Sequence, residues 1–157
     1  MKSQTSAILL LALVAGISIA QNNHLVIDFE KQAAQRVAIT ARVGDDIHVT
    51  VPGNPTTGFS WQIVPELGYF DGVHVLQNAY TSNQSVVNGR QLDGVGGYFN
   101  MIFGVSTAGQ KSIELVYLQP WSLKSFKNSN GIVDWNMYFN SNGSSYQRKT
   151  IIVNAMQ

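Results

Sequence analysis

The sequence contains no cysteine among its 157 residues. This absence excludes disulfide bonds, thiolate zinc sites, redox motifs and a cysteine nucleophile. A secreted domain without disulfides depends on the packing of its core for stability. Residues 21–157 are numerous enough to build one, because a domain of that size buries roughly two-thirds of its unfolded surface.

Charged residues are also scarce, at 12% of the chain, with ten Lys and Arg against nine Asp and Glu. This balance leaves no basic surface that would attract nucleic acid or an anionic membrane. The three histidines, His24, His48 and His74, occupy polar positions on or beside predicted strands, without metal-ligand spacing. We therefore expect solvent-facing histidines, no metal site and no cofactor.

The residue patterns of common catalytic sites are missing as well. No serine lies in a Gly-x-Ser-x-Gly elbow. Asp28 and Glu30 share one face of a predicted strand, but one carboxylate pair does not make a glycosidase site. The sequence therefore predicts a protein that is not an enzyme.

Residues 1–20 have the layout of a secretory signal peptide. Lys2 is followed by an apolar run over 7–19, and Ser18-Ile19-Ala20 places small residues before the expected cleavage site. The run is too short for a membrane span, which needs about 20 apolar residues. We expect one mature domain, 21–157, in the secretory pathway, either secreted or retained in a lysosome or vesicle, with a retained anchor as the alternative.

Alternating apolar and polar residues after the signal predict short β-strands separated by turns. One short helix is expected over 31–38. Asn142-Gly143 indicates a hairpin between the last two strands. Glycosylation sequons begin at Asn83 and Asn142, both in predicted loops. The strands are expected at residues 24–30, 37–43, 47–51, 59–64, 73–80, 98–105, 111–118, 133–139 and 148–153. This spacing is typical of an all-β sandwich or barrel.

The segment Asn54-Pro55-Thr56-Thr57-Gly58 predicts a rigid connection that ends at Phe59. Proline fixes its own φ angle and restricts the residue before it, while asparagine can bond to the backbone two residues on. A loop that is rigid before binding loses little entropy when it binds. The alternative is an ordinary connection between strands.

Two further segments stand between predicted strands. Gly94-Val95-Gly96-Gly97 lacks the lysine and the helix of a phosphate-binding loop, but its glycines allow another surface to approach the backbone. Gln119-Pro120-Trp121 ends a strand with a tryptophan that either fills the core or forms an exposed anchor. Trp61, inside a strand, is expected in the core.

These three segments, in this order, resemble the chagasin family of cysteine peptidase inhibitors over roughly residues 24–139. The resemblance implies an immunoglobulin-like, antiparallel β-sandwich with the three loops at one end. It further implies reversible, non-covalent inhibition of papain-like cysteine peptidases. Thr56 and Thr57 would then lie nearest the peptidase cysteine and histidine, Gly96 and Gly97 would approach one wall of the cleft, and Trp121 would pack on the other.

The sequence departs from this family at two places. Gln119 stands where the family usually carries a basic residue before Pro-Trp, which removes a charge-assisted hydrogen bond. The chain also continues past Phe139. Residues 148–153 either add a strand, forming an extra C-terminal hairpin, or replace 133–139 as the final strand, and we expect the added strand.

Two other functions compete with inhibition. A carbohydrate-binding or adhesion sandwich would use exposed aromatic residues at Tyr69, Phe70 and Tyr80. A hydrolase built on a sandwich lacks its nucleophile. Since fold alone does not determine function, the preference for inhibition rests on the three family motifs. The target peptidase, the organism's own or a host's, is left open, and a monomer is expected because no long apolar edge strand needs cover.

Overall fold

The computed structural model describes residues 23–83, 86–87, 90–91, 94–143 and 145–157. The predicted signal peptide lies outside them. The helix of the described residues is α1, Trp135–Asn142, and no helix there is long and apolar enough to cross a membrane. The strands are β1 His24–Asp28, β2 Arg36–Arg42, β3 Asp46–Gly53, β4 Ser60–Ile63, β5 Val73–Ser82, β6 Val86–Val87, β7 Arg90–Gln91, β8 Gly97–Val105, β9 Gly109–Leu118 and β10 Gln147–Met156.

Eight of these strands form two four-stranded sheets, with β6 and β7 paired separately. Sheet A has the order β1-β3-β8-β5, and sheet B has the order β2-β10-β9-β4. Their inner faces share one core that includes Ile47, Met101 and Phe103 from sheet A and Ile113 and Ile151 from sheet B, all at most 1% exposed. The predicted all-β sandwich is thus confirmed. The prediction of a buried Trp61 is also confirmed, at 3% exposure.

Parallel pairing occurs at one edge of each sheet. β1 pairs in parallel with β3, and β2 pairs in parallel with β10. The first case follows from the chain path, because β2 crosses to sheet B before β3 returns to sheet A beside β1. The sandwich is therefore antiparallel in its centre and parallel at these two edges.

The helix expected over 31–38 is wrong. β2 begins at Arg36 and pairs with β10, so that Val37 lies opposite Ile151 and Ile39 opposite Val153. Val37 and Ile39 pack against the core from one side of the strand. Tertiary pairing therefore decides this segment, since a short helix gains little stability alone.

The strand expected over 133–139 is also wrong, and with it the extra C-terminal hairpin. Residues Trp135–Asn142 form α1, whose N-cap Asp134 accepts a hydrogen bond from Met137 N at 2.9 Å. Gly143 follows the helix as its C-cap instead of turning a hairpin, so the sequon asparagine at 142 ends a helix. β10 is the final strand, so residues 148–153 replace residues 133–139 in that role and do not add a strand after them.

Helix α1 covers a second, smaller core on the outer face of sheet B. Tyr138 is buried there against Val64, Val116 and Leu118, with Phe139 packed at its margin. Since Val116 and Leu118 alternate with the inward-facing residues of β9, this strand is apolar on both faces at its end. The helix therefore packs directly behind the strand that leads into residues 119–121.

Candidate functional site

The first loop, residues 54–58, is a single turn of 3-10 helix, Pro55–Thr57, closed at both ends by hydrogen bonds. Asn54 Oδ1 accepts from Thr56 N at 3.2 Å and from Thr56 Oγ1 at 2.7 Å. Thr57 Oγ1 donates to Asn54 O at 2.6 Å, and Gly58 N donates to Pro55 O at 2.9 Å. The predicted asparagine turn is present, and both threonines are exposed at its surface.

Two aromatic residues of the sandwich hold this loop from below. Asn54 N donates to Tyr117 Oη at 2.8 Å, and Trp61 Nε1 donates to Pro52 O at 2.9 Å. The Tyr117 ring stacks on Phe59, with ring centroids 5.4 Å apart, which places that predicted site residue beneath the loop instead of on its outer surface. The backbone that enters the loop is thus fixed by buried or half-buried side chains.

The second loop, residues 94–97, is joined to the first by a side-chain hydrogen bond. Asn54 Nδ2 donates to Gly94 O at 2.9 Å. Gly94 has φ +79°, a conformation that favours glycine. Gly97 is buried, and a β-carbon there would overlap the carbonyl oxygen of Thr81. Of the predicted contact glycines, Gly97 is therefore required by packing within the sheet, while Gly96 and Val95 are half-buried at the surface.

The third loop, residues 119–121, lies on the other side of the first. Pro120 and Trp121 begin a 3-10 helix, Pro120–Phe126, after a half-buried Gln119. Trp121 is 61% exposed, yet its ring lies against Gly58, where an added β-carbon would overlap it. Of the two predictions for this tryptophan, a core residue or an exposed anchor, the structure favours the exposed anchor.

The base of the third loop rests on the second core. Ser122 Oγ lies 2.7 Å from Gln119 O and 3.4 Å from Tyr138 Oη. Because Tyr138 is the buried residue of α1, the loop is supported by the helix that the sequence pattern failed to predict. A rigid base keeps the exposed ring in one position before any partner arrives.

A shallow groove lies beside the contact between the first and second loops, with Asn54, Gly96 and Gly97 among its lining residues. Tyr98 lines it and donates a hydrogen bond from Oη to Glu30 Oε1 at 2.7 Å. This hydrogen bond, together with burial, raises the pKa of Tyr98, so the phenol stays protonated and neutral at physiological pH. The groove therefore presents a fixed acceptor–donor pair beside Gly96 and Gly97.

All three predicted motifs therefore meet at one end of the sandwich, with the first loop in the middle. Sequence analysis missed Tyr117 and Tyr138, which position the loops from beneath. Tyr117 continues the alternation of β9 and gives no signal beyond that of a core residue, because its contact with Asn54 depends on how β3 and β9 approach each other. Tyr138 would have been indicated by the helical spacing of Trp135, Tyr138 and Phe139.

The aromatic residues of the competing sugar-binding reading do not form an exposed platform. Tyr69 is 58% exposed. Phe70 and Tyr80 instead pack against the main core, next to Phe103 and Phe99 respectively. Phe70 and Tyr80 are half-buried, so the three rings do not offer one exposed face on which a sugar could stack.

Comparison with known proteins places this site in a family. The model of the chagasin family of peptidase inhibitors, I42, matches residues 40–131, more than half of the chain and all three loops. Chagasin of Trypanosoma cruzi is 29% identical over 100 residues, covering 58% of this chain and 80% of its own. Amoebiasin-1 of Entamoeba histolytica is 30% identical over 86 residues, covering 54% and 74%.

The fold has solved counterparts too. The crystal structure of the cysteine protease inhibitor EhICP2 from Entamoeba histolytica matches with a TM-score of 0.57 and 15% identity, covering 85% of this chain and 96% of that one. At this identity the match shows a shared fold. The family is one of peptidase inhibitors, not of enzymes, in agreement with the absence of catalytic motifs. On its sequence and its three clustered loops, the chain belongs to the chagasin family of peptidase inhibitors.

Proposed function

We propose that this protein is a reversible, non-covalent inhibitor of papain-like cysteine peptidases, which closes the active-site cleft with its three loops. The observation that carries the proposal is their continuity. The first loop is hydrogen-bonded to the second through Asn54 and Gly94 and contacts the third through Gly58 and Trp121. Three ordered loops in one row have the shape needed to fill a cleft and grip both of its walls.

Rigidity supports this role. The hydroxyls of Thr56 and Thr57 both donate within the loop, so neither side chain has to be ordered when a partner binds. Their oxygens can still accept hydrogen bonds from a peptidase. The chain has no cysteine, and among the residues that the structure describes no base is hydrogen-bonded to either threonine. The loop is therefore suited to block the catalytic cysteine and histidine of a peptidase without reacting with them.

Trp121 is the expected anchor of the interface. Tryptophan is enriched among the residues that dominate binding energy, especially where the surrounding contacts exclude water. Its ring is mostly exposed in the free protein but already oriented by Gly58. Binding would thus bury a large apolar ring at little entropic cost.

We further propose that the mature inhibitor is a monomer in the secretory route or a vesicle derived from it. Residues 1–20 support the secretory route by their composition. A peptidase of the same organism's lysosomes or of a host would meet the inhibitor there. Sequencing the N-terminus of the protein recovered from culture medium tests the signal, and an intact Met1 would contradict it.

Inhibition is tested by titrating papain with the purified protein and following hydrolysis of a small fluorogenic peptide. We expect substrate-competitive inhibition that is recovered on dilution, with both protein masses unchanged in denaturing mass spectrometry. No inhibition at micromolar protein would contradict the proposal.

The anchor is tested with Trp121→Ala, which should raise the dissociation rate about thirtyfold, the effect of losing about 2 kcal/mol at a hot spot. Tyr69→Ala is the matched control. Tyr69 is similarly exposed, but its backbone N bonds Ser112 Oγ near the start of β9, at the far end from the third loop. Equal effects of the two changes would place the interface elsewhere.

A further inference from the structure

Two of the three histidines meet an aspartate on the outer face of sheet A. His24 Nδ1 lies 3.2 Å from His48 Nε2 and 3.9 Å from Asp46 Oδ2. One ligand atom from each of the three side chains falls within 4.8 Å of the others. The sequence spacing predicted no such site, because the cluster depends on strand pairing.

Parallel pairing brings these residues together. In the register of β1 with β3, His24 lies opposite Asp46, and His48 is two residues further along β3. Positions two apart on a strand share a face, so all three side chains project from the same side of the sheet. The burial pattern agrees, since Ile47 between them is fully buried in the core.

The start of β1 is held firmly in this register. Asn23 N donates to Asp45 Oδ1 at 3.0 Å, and Asp46 N donates to Asn23 O at 3.0 Å. Asp45 itself is 3% exposed and also accepts from Arg42 N at 2.7 Å. The residue before His24 is therefore fixed from both sides, and the histidine does not depend on a free chain end for its position.

The geometry fits a small divalent transition-metal ion. Two nitrogen ligands at about 2.0–2.1 Å from a tetrahedral ion lie about 3.3 Å apart, close to the separation of the two imidazole nitrogens. The Asp46 carboxylate oxygen, 3.9 Å from His24 Nδ1, would have to move closer to become the third ligand, and a water would complete the shell. Two imidazoles with one carboxylate favour zinc or copper over calcium or magnesium, which prefer oxygen ligands.

We propose that His24, Asp46 and His48 form a binding site for a divalent transition-metal ion of the zinc type. The ion would link His24, the first residue of the edge strand β1, to β3. From His48 to Asn54, where the first loop begins, the chain of β3 spans about 20 Å at 3.3 Å per residue. The ion would therefore stabilise the sandwich without touching the peptidase-binding end.

Zinc binding is measured by calorimetric titration of the chelator-treated protein with zinc chloride. We expect one ion per chain and a melting temperature raised by about 5–10 °C at a zinc concentration of 100 times Kd. His48→Ala should weaken zinc binding at least about tenfold. Loss of a group that only orients a metal ligand already lowers metal affinity by about 10- to 100-fold, and loss of the ligand itself should lower it at least as much. The absence of binding to the unaltered protein would overturn the proposal.

His74→Ala is the matched control, because His74 is exposed on β5 in the same sheet and lies outside the cluster. It should bind zinc as the unaltered protein does. Asp46→Asn should weaken binding while leaving the fold intact, and the imidazole nitrogen NMR signals of His24 and His48, but not of His74, should shift on adding zinc. Zinc binding that survives His48→Ala, or that is lost in His74→Ala, would overturn the assignment.

Discussion

Trp121 lies directly against Gly58, so two loops that are far apart in the sequence form one surface. Gly58 has φ +82°, and a β-carbon on it would overlap the tryptophan ring. The glycine is thus required twice, once for the backbone conformation that ends the 3-10 turn and once for the close approach of the indole.

Gly58→Ala should weaken peptidase inhibition at least about tenfold, because the indole must move away from the first loop and the prearranged surface is lost. The left-handed backbone adds a stability loss of about 1–2 kcal/mol. Gly131→Ala is the control, since Gly131 has φ +78° with nothing within 4 Å of an added β-carbon. Urea unfolding should show the backbone cost in both variants, while the inhibition constant should change in Gly58→Ala alone. An unchanged constant there would contradict the role of this contact.

Tyr117→Phe should loosen the first loop while leaving its ring packing in place. The change removes the hydroxyl that accepts from Asn54 N at 2.8 Å, a hydrogen bond worth about 0.5–1.5 kcal/mol. We expect a faster dissociation of the peptidase complex, measured by displacement after dilution. Tyr69→Phe, which removes a hydroxyl from an exposed side chain far from the loops, should leave dissociation unchanged. Equal rates in both variants would show that Tyr117 does not position the loop.

Gln119→Arg should strengthen inhibition by about 10- to 100-fold, since a charge-assisted hydrogen bond contributes about 1.5–3 kcal/mol. The expectation rests on the basic residue that the family usually carries at this place. Gln110→Arg adds the same charge near the start of β9, where Gln110 is exposed, and controls for long-range attraction. If both variants improve inhibition equally, the gain comes from net charge and not from position 119.

Because of Asp45, the stability of the protein should fall as the pH is lowered in the acidic range. Burial raises the pKa of Asp45, but hydrogen bonds from the backbone amides of Asn23 and Arg42 outweigh it and hold the pKa below its ordinary value of 3.8. A carboxyl with a depressed pKa stabilises the fold above the unfolded value, and the stabilisation is lost as pH falls through the folded value.

Asp45→Asn should therefore lower the free energy of unfolding by about 1.5–3 kcal/mol at pH 7. This difference from the unaltered protein should shrink as pH falls below about 4. The measurement is urea unfolding over a pH series with a metal chelator present. Asp71→Asn, at an exposed turn residue, should show no comparable loss at pH 7. A difference that stays constant down to the lowest pH would contradict the carboxylate's role.

Local patterns predicted the strands well, and they failed where packing had to decide. Alternation located β3, β8 and β9 to within a few residues, because one face of each lies on the main core. The same alternation wrongly predicted a strand over residues 133–139, where Trp135, Tyr138 and Phe139 also fit one side of a helix. The two interpretations, strand and helix, are distinguished only by the apolar outer face at the end of β9, which the helix buries.

By itself, the sequence determined the sandwich, the three loop motifs and their family, since short runs of neighbouring residues indicate each of these. Tertiary structure alone decided that Trp121 contacts Gly58, that Tyr117 holds Asn54 and that His24 meets His48. The physical reason is the same in each case. These contacts join residues on different strands, and their distances follow from sheet order and register, which a linear pattern does not contain.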